Sequence, residues 1–156
     1  TSLPHEFRPS PNVEPRKDGV KPDILLMHYT EMRSAEAACA WLCDPASKVS
    51  CHYLVDEDGA IVQMVDEAMR AWHAGASSWR GRERCNDFSV GVELEGSDDQ
   101  PFTDAQYACL NDLMQALRAA YPMLVDLAGH SDIAPGRKTD PGPYFDWKRV
   151  VWRRPA

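Results

Sequence analysis

The stretch from Gly129 to Gly142 combines three side chains that together could support metal-dependent hydrolysis. It reads Gly-His-Ser-Asp-Ile-Ala-Pro-Gly-Arg-Lys-Thr-Asp-Pro-Gly and carries an imidazole (His130), an ammonium (Lys138) and a carboxylate (Asp140). Imidazole nitrogens and carboxylate oxygens bind zinc, but a catalytic zinc takes three protein ligands and keeps one position open for water. The pattern therefore predicts a third ligand elsewhere in the chain.

His28 is a candidate for that ligand because it lies at the end of a predicted strand. The run Ile-Leu-Leu-Met-His-Tyr over residues 24–29 is nearly all apolar, which is typical of a strand buried on both faces. A last strand is predicted over residues 123–128, and His130 follows it. Ligands in open sheets gather beyond the carboxyl ends of strands, so the two histidines converge if their strands are neighbours. Five histidines in a short chain offer other triplets as well.

The rest of the pattern predicts one α/β (α+β) domain with a central mixed β-sheet and helices packed on its faces. A chain of 156 residues with 44% hydrophobic residues can bury one core and is too short for two ordinary domains. Helices are predicted from the cap Ser34 to about Leu42, and from a capping box at Thr103 and Gln106 to about Ala120. Further strands are predicted over residues 50–55, 61–65, 70–73 and 88–95. In the last of these, Phe88, Val90, Val92 and Leu94 face one side, and Ser89, Gly91, Glu93 and Glu95 face the other.

Residues 1–22 contain five prolines and are predicted to form an extended arm without regular elements, so that the domain proper spans residues 23–156. No apolar run approaches the length that spans a membrane, and we expect no membrane span. The first residues show no apolar targeting core, although a signal removed earlier would leave the same sequence.

The amino-acid composition limits the classes of binding partner and the cellular compartment that we expect for this protein. A net charge of -7 argues against nucleic acid, although Arg80, Arg82 and Arg84, with the pair Arg137 and Lys138, predict a local positive groove that could receive carboxylates. The five cysteines are odd in number and irregularly spaced, which favours a reducing compartment, the cytoplasm; the periplasm is the alternative if a signal was removed. Cys39 and Cys43 would share a helix face, and we interpret them as buried apolar side chains rather than as a zinc site.

Several segments match one enzyme family in order over roughly residues 20–150. These segments are Leu-Met-His-Tyr (26–29), Ser-Cys-His-Tyr-Leu-Val-Asp-Glu-Asp-Gly (50–59), Arg-Ala-Trp-His-Ala-Gly (70–75), residues 82–96 and residues 129–142. They resemble the zinc-dependent N-acetylmuramoyl-L-alanine amidases, or type 2 amidases, which share a fold with peptidoglycan recognition proteins and phage T7 lysozyme. Within the family, residues 84–88 and 130–142 are most similar to the cytoplasmic enzymes that recycle 1,6-anhydro-muropeptides.

The resemblance implies a role for each matched residue. His28, His130 and Asp140 would bind one Zn²⁺ per chain, Glu93 would be the catalytic acid and base, and Lys138 would lie beside the reacting carbonyl. Arg84 and the backbone at Ala134 would hold the stem peptide, and His73 is either a substrate contact or a packed loop residue. The implied reaction is hydrolysis of the amide between N-acetylmuramic acid, in the 1,6-anhydro form, and L-alanine. The implied partner is a muropeptide or peptidoglycan, and we expect a monomer.

Alternatives remain for the individual side chains. Arg84 could instead form a surface salt bridge with Glu83 or Asp87. We interpret His52 as mainly structural and Trp72 as an anchor of its loop, whereas Trp79 could either contact the sugar or anchor the loop.

Two alternative functions remain for the whole protein. The connection between His28 and His52 is shorter than in the recycling enzymes, where an insertion helps to gate the site, so broader action on intact peptidoglycan is an alternative. A non-catalytic muropeptide-binding module on the same fold is a second alternative. The complete set of His28, His130 and Asp140 with Glu93 and Lys138 favours the enzyme, because a pure binder gains nothing from an open metal site.

Overall fold

A six-stranded mixed sheet forms the centre of the fold in the computed structural model, which describes residues 6–151. Its strands, in spatial order, are β1 (Glu6–Phe7), β5 (Ile61–Gln63), β4 (Tyr53–Val55), β9 (Ser89–Leu94), β3 (Ile24–Tyr29) and β10 (Asp126–Gly129). Strands β4 and β5 pair antiparallel, and all other neighbours in this sheet are parallel. Two small ribbons pair β2 (Val13–Pro15) with β6 (Met69–Ala71), and β7 (Ser78–Trp79) with β8 (Arg82–Glu83). The predicted mixed α/β architecture is confirmed.

The helices begin where the capping residues predict. Helix α1 (Ala35–Leu42) starts after Ser34, whose hydroxyl accepts a hydrogen bond from the Ala37 amide at 3.1 Å. Helix α2 (Asp104–Ala120) starts with the capping box of Thr103 and Gln106. The third helix, α3 (His130–Ile133), is a single turn, and short 3₁₀ turns occupy Lys17–Gly19, Pro45–Ser47, Cys85–Phe88 and Trp147–Arg149. No helix in the described range is long and apolar enough to cross a membrane.

Strand β3 lies between β9 and β10 and is buried on both faces, as its apolar run predicts. Leu25 and Met27 pack into the main core beneath α2, where Leu110, Leu113 and Leu117 cover them. Ile24 and Leu26, on the opposite face, pack with Ala74, Cys85 and Ile133. Because both faces are covered, the strand is rigid and the position of His28 near its end is well defined.

The prediction that residues 1–22 lack regular elements is wrong for the described part of that stretch. Strand β1 extends the central sheet at β5, and β2 pairs with β6; both lie at edges, where proline is tolerated because no ladder donor is required. Arg16 is buried and donates to the backbone carbonyls of Glu67, Asn86, Asp87 and Ser89. The domain boundary at residue 22 stays a prediction, and His5 lies outside the described residues.

Two strand predictions also need correction. The strand expected over residues 70–73 is β6, which leaves the central sheet to pair with β2. Phe88 closes the 3₁₀ turn before β9 and packs with Ile24 and Leu26, so it does not share the face of Val90 and Val92. The turn rotates the chain just before the strand, and the alternation holds only from Ser89 onward.

Candidate metal centre and active site

Two adjacent parallel strands bring the candidate histidines to one edge of the sheet. Strand β10 pairs with β3 so that Gly129 lies opposite Met27. His28 is the next residue of β3, and His130 begins α3 directly after β10. The expected convergence therefore follows from the strand order.

The carboxylate reaches the same point by a tight return of the chain. The Ser131 amide donates to the Asp140 carbonyl at 3.0 Å, which holds the loop against the start of α3. A Cβ atom on Gly129 would lie 2.7 Å from Cδ of Pro141, so this approach requires glycine at position 129. The Asp140–Pro141 peptide bond is cis.

Three potential ligand atoms face one another at this edge. His28 Nδ1 lies 3.0 Å from His130 Nδ1 and 2.9 Å from Asp140 Oδ2, and His130 Nδ1 lies 3.2 Å from the same oxygen. Zinc bonds of about 2.0–2.1 Å in a tetrahedral site place neighbouring ligand atoms about 3.3 Å apart, so the cluster needs little expansion to fit the ion. Within residues 6–151 no other group of three His, Cys, Asp or Glu side chains is arranged to hold a metal.

The surroundings favour the protonation states that a metal requires. Burial lowers the pKa of His28 below its ordinary value, which favours the neutral imidazole. Burial opposes ionisation of Asp140, but its contacts with the His130 and His28 imidazoles outweigh it and hold the pKa of Asp140 well below its usual range. Neutral imidazoles and an ionised carboxylate are the forms that bind metal, so the donor set fits zinc.

A backbone carbonyl orients His130. Its Nε2 donates to the Ala74 carbonyl at 2.8 Å, which leaves the Nδ1 lone pair directed at the cluster. Arg137 Nη2 donates to the same carbonyl at 2.7 Å and to the Ala76 carbonyl at 2.8 Å. The sequence marked Arg137 only as part of a positive groove; its contact with a loop some sixty residues earlier carries no sequence signal.

Glu93 and Lys138 line the same cleft, which has a volume of about 300 Å³ and also contains the three candidate ligands. Glu93 lies opposite His28 in the β3–β9 register, so both side chains project from adjacent strands. Burial, followed by the negative charge of Asp140, raises the pKa of Glu93 to about 8. A carboxyl with a pKa near neutrality can both accept and return a proton.

His73 and His52, the other histidines of the described residues, contact protein groups through both ring nitrogens. His73 Nδ1 lies 2.9 Å from His28 Nε2, and its Nε2 lies 3.0 Å from the Ser89 hydroxyl, so only the ring face is left for a substrate. His52 accepts from the Gly91 amide through Nδ1 and contacts the Met69 carbonyl through Nε2. Burial lowers the pKa of His52 to about 3. These contacts agree with the structural role predicted for His52.

The residues expected to hold the stem peptide lie outside the cleft lining. Arg84 is exposed in a left-handed conformation, and the ion pair of Asp87 is with Arg70 rather than with Arg84. Ala134 is buried, and its carbonyl already accepts from the amides of Arg137 and Lys138. Both substrate-binding assignments stay predictions.

Two arginines of the cluster, Arg80 and Arg82, and two tryptophans, Trp72 and Trp79, have protein partners. Arg82 binds Asp23 through two nitrogens, and Arg80 lies 3.5 Å from Asp126, so these charges are partly neutralised. The Trp72 indole donates to Glu14 and the Trp79 indole donates to Asp126. Both contacts anchor their loops, while the ring of Trp72 also lines the cleft.

Comparison with known proteins agrees with this geometry. The sequence profile described as N-acetylmuramoyl-L-alanine amidase matches residues 18–143. The chain belongs to the N-acetylmuramoyl-L-alanine amidase family. It is 53% identical over 161 residues to the 1,6-anhydro-N-acetylmuramyl-L-alanine amidase AmpD of Haemophilus influenzae, covering 91% of this chain and 88% of that protein.

Solved structures place this amidase among the same enzymes. A crystal structure of a selenomethionine AmpD derivative superimposes with a TM-score of 0.87 at 43% identity and covers 94% of both chains. The Escherichia coli amidase AmiD, in complex with the substrate anhydro-N-acetylmuramic acid-L-Ala-D-gamma-Glu-L-Lys, superimposes with a TM-score of 0.75 at 38% identity. That match covers 85% of this chain and 58% of AmiD. The chain is therefore an amidase with the fold that the sequence predicts.

Proposed function

We propose that this amidase hydrolyses the amide bond between N-acetylmuramic acid, in its 1,6-anhydro form, and L-alanine of the stem peptide, as a step of cell-wall recycling. The observation that carries the proposal is that His28, His130 and Asp140 meet in one cleft with Glu93 and Lys138. The names of the AmpD relatives and the ligand in the AmiD complex support the choice of substrate.

The metal of this site is proposed to be zinc, held by His28, His130 and Asp140. When bound, zinc acidifies a water toward a pKa of about 7 and polarises the carbonyl that the water attacks. Two imidazoles and one carboxylate contribute a single negative charge as ligands, so a bound Zn²⁺ would leave one net positive charge at the cluster. That charge favours a reaction in which negative charge develops on the carbonyl oxygen.

Glu93 carries the proton between the two halves of the reaction. Its carboxylate takes a proton from the attacking water as the new C–O bond forms at the lactyl carbonyl. The same proton then passes to the nitrogen of L-alanine as the C–N bond breaks, so that an amine leaves and Glu93 returns to its initial state. The raised pKa of Glu93 suits both transfers near neutral pH. Lys138 is exposed at the cleft and provides an ammonium near the developing oxyanion.

A broader action on intact peptidoglycan is the second candidate, because the cleft is open beside α1. Trp41 on that helix is 50% exposed and lines the cleft with Trp72, so the connection between β3 and β4 leaves an apolar wall accessible to sugar rings.

We propose that the enzyme acts as a monomer in the cytoplasm. All five cysteines are free thiols, which supports a reducing compartment.

Replacement of Glu93 by glutamine tests the assignment of the acid and base. The amide preserves shape but cannot accept the proton, so we expect kcat to fall about 10²- to 10⁴-fold while zinc content and folding stay unchanged. Glu83→Gln, an exposed glutamate outside the cleft, is the matched control. Turnover of Glu93→Gln within a few-fold of the parent would contradict the role of Glu93.

The substrate range is tested with an anhydro-muropeptide and with intact sacculi, each with and without a chelator, by measuring released peptide by mass spectrometry. Chelator-sensitive cleavage of the soluble fragment alone supports the recycling enzyme. Cleavage of both substrates supports the broader amidase, and tight muropeptide binding without cleavage of either would show a binding module instead.

A further inference from the structure

His73 contacts a candidate metal ligand on the side away from the metal. Its Nδ1 lies 2.9 Å from His28 Nε2, whereas the Nδ1 of His28 faces the metal cluster. The two rings meet edge to face with centroids 5.0 Å apart. His28 therefore has a protein partner at each nitrogen, and His73 is the partner at Nε2.

The two candidate ligand histidines are supported by different kinds of group. The Ala74 carbonyl can only accept, so it holds His130 in the Nε2–H form. An imidazole can accept or donate at Nδ1, depending on its own tautomer. When His73 Nε2 donates to the Ser89 hydroxyl, His73 Nδ1 accepts from His28 Nε2–H, and the Nδ1 lone pair of His28 is free for the metal.

The opposite tautomers satisfy the same contacts without metal. If Ser89 donates to His73 Nε2, His73 Nδ1–H donates to His28 Nε2, and His28 Nδ1–H donates to Asp140 at 2.9 Å. Each state keeps every hydrogen bond of the chain from Ser89 to His28, and no heavy atom has to move. A carbonyl in place of His73 could support only the metal-binding form.

The fold holds the ring of His73 in place from two directions. The Asn86 side-chain oxygen accepts from the backbone amides of both His73 and Ala74, at 3.0 and 2.8 Å. On the sheet side, a Cβ on Gly91 would lie 2.6 Å from Cγ of the His73 ring. Ser89, Gly91 and Glu93 share one face of β9, so one strand face supports His73, makes room for it and presents the acid and base.

We propose that His73 is a positioning residue of the metal centre: it orients His28 through its contact with Nε2 and can accept from Nε2–H in the tautomer in which Nδ1 of His28 binds the ion. This rests on the proposed metal site and assigns to His73 a task other than substrate contact. Loss of a group that orients a metal ligand typically weakens metal binding by about 10- to 100-fold.

The test measures zinc affinity by chelator competition and records the visible absorption of the cobalt-substituted protein. For His73→Ala we expect zinc to bind about 10- to 100-fold more weakly, with an altered cobalt spectrum. His73→Asn keeps an acceptor near the position of Nδ1 and should recover part of the affinity. Ser89→Ala removes only the outer contact and should have the smallest effect.

Two further variants separate positioning from general damage. Gly91→Ala retains every polar group but pushes against the His73 ring, so we expect its zinc affinity to fall as well. Gln106→Ala removes a buried polar side chain whose hydrogen bonds go to the Val55 and Glu95 carbonyls and not to His28 or His73, so it should leave zinc affinity unchanged even if stability falls.

The outcomes distinguish this inference from the proposed function. If the parent protein binds zinc tightly and folded His73→Ala or Gly91→Ala matches it within threefold with the same cobalt spectrum, His73 does not position His28 and the amidase proposal stands. If Gln106→Ala loses as much affinity as His73→Ala, the effect is general and the inference fails. If the parent protein takes up no zinc, both proposals are overturned.

Discussion

Glu95 offers a stability prediction whose sign and size follow from its surroundings. It is only 4% exposed, and its Oε2 has no hydrogen-bond partner within the described residues. Burial is the main cause that raises the pKa of Glu95 from 4.5 to about 7, and the charges of Asp56 and Glu57 add to it, against a hydrogen bond with Thr30. The folded protein therefore holds this proton more tightly than the unfolded chain does.

The pH dependence follows from the two pKa values. Below pH 4.5 the carboxyl is protonated in both states and Glu95 costs nothing. Above pH 7 it is ionised in both states, and the folded protein carries the full cost. A raised carboxyl pKa thus lowers the free energy of unfolding as the pH rises between these limits. Raising the pKa from 4.5 to about 7 corresponds to about 3 kcal/mol. Glu95 lines a second, solvent-open pocket beside Gly96, and screening there reduces the cost to about 1–2 kcal/mol.

Glu95→Gln removes that ionisation with little change of shape. We expect the variant to unfold at higher urea concentration than the parent at pH 8, by about 1–2 kcal/mol or roughly 3–6 °C in Tm, and to match it near pH 4.5. Urea unfolding at several pH values, with Glu83→Gln as the control for the exchange itself, measures the difference. Titration of the metal ligands is common to both proteins and cancels. A difference that is the same at pH 5 and pH 8 would refute the reasoning.

Two other substitutions have distinct readouts. Arg16→Met leaves several buried carbonyls without a donor, so the free energy of unfolding, measured by urea denaturation, should fall by about 3 kcal/mol. An unchanged urea midpoint would show that water replaces the guanidinium. Trp41→Ala should raise KM for the anhydro-muropeptide a few-fold with little change in kcat, because an apolar wall for the sugar is lost. Met123→Ala, at a position of similar exposure, is its control. If Trp41→Ala and the parent protein have the same KM, Trp41 does not contact the sugar.

The parts of the molecule that could be predicted from sequence are those with strong local patterns. Strand β3 shows a nearly unbroken apolar run, and α2 shows a capping box at its start and Pro122 after its end, so the sequence predicts both nearly to the residue. The two histidine ligands can be predicted from the sequence for a related reason. His28 and His130 each lie at the end of a recognisable strand, and the rule for parallel sheets brings such ends together.

The parts that could not be predicted depend on contacts between distant residues. Strands β1 and β2 have two and three residues, too few for any periodic signal, and they exist because β5 and β6 offer open edges. The groups that orient the ligands are equally hidden. The path of the loop that carries His73 is set by Asn86 and Arg137, neither of which is close to it in sequence.

Strand β9 contributes residues to the hydrophobic core on one face and to the active site on the other. On the face toward α2, Val90, Val92 and Leu94 fill a core in which volume-conserving exchange costs little. On the other face, Ser89 and Gly91 support and accommodate His73, and Glu93 lies beside His28. These three residues project from one strand, which β3 and β4 hold by pairing on either side. The geometry of proton transfer and the geometry of metal binding are therefore set by the same backbone.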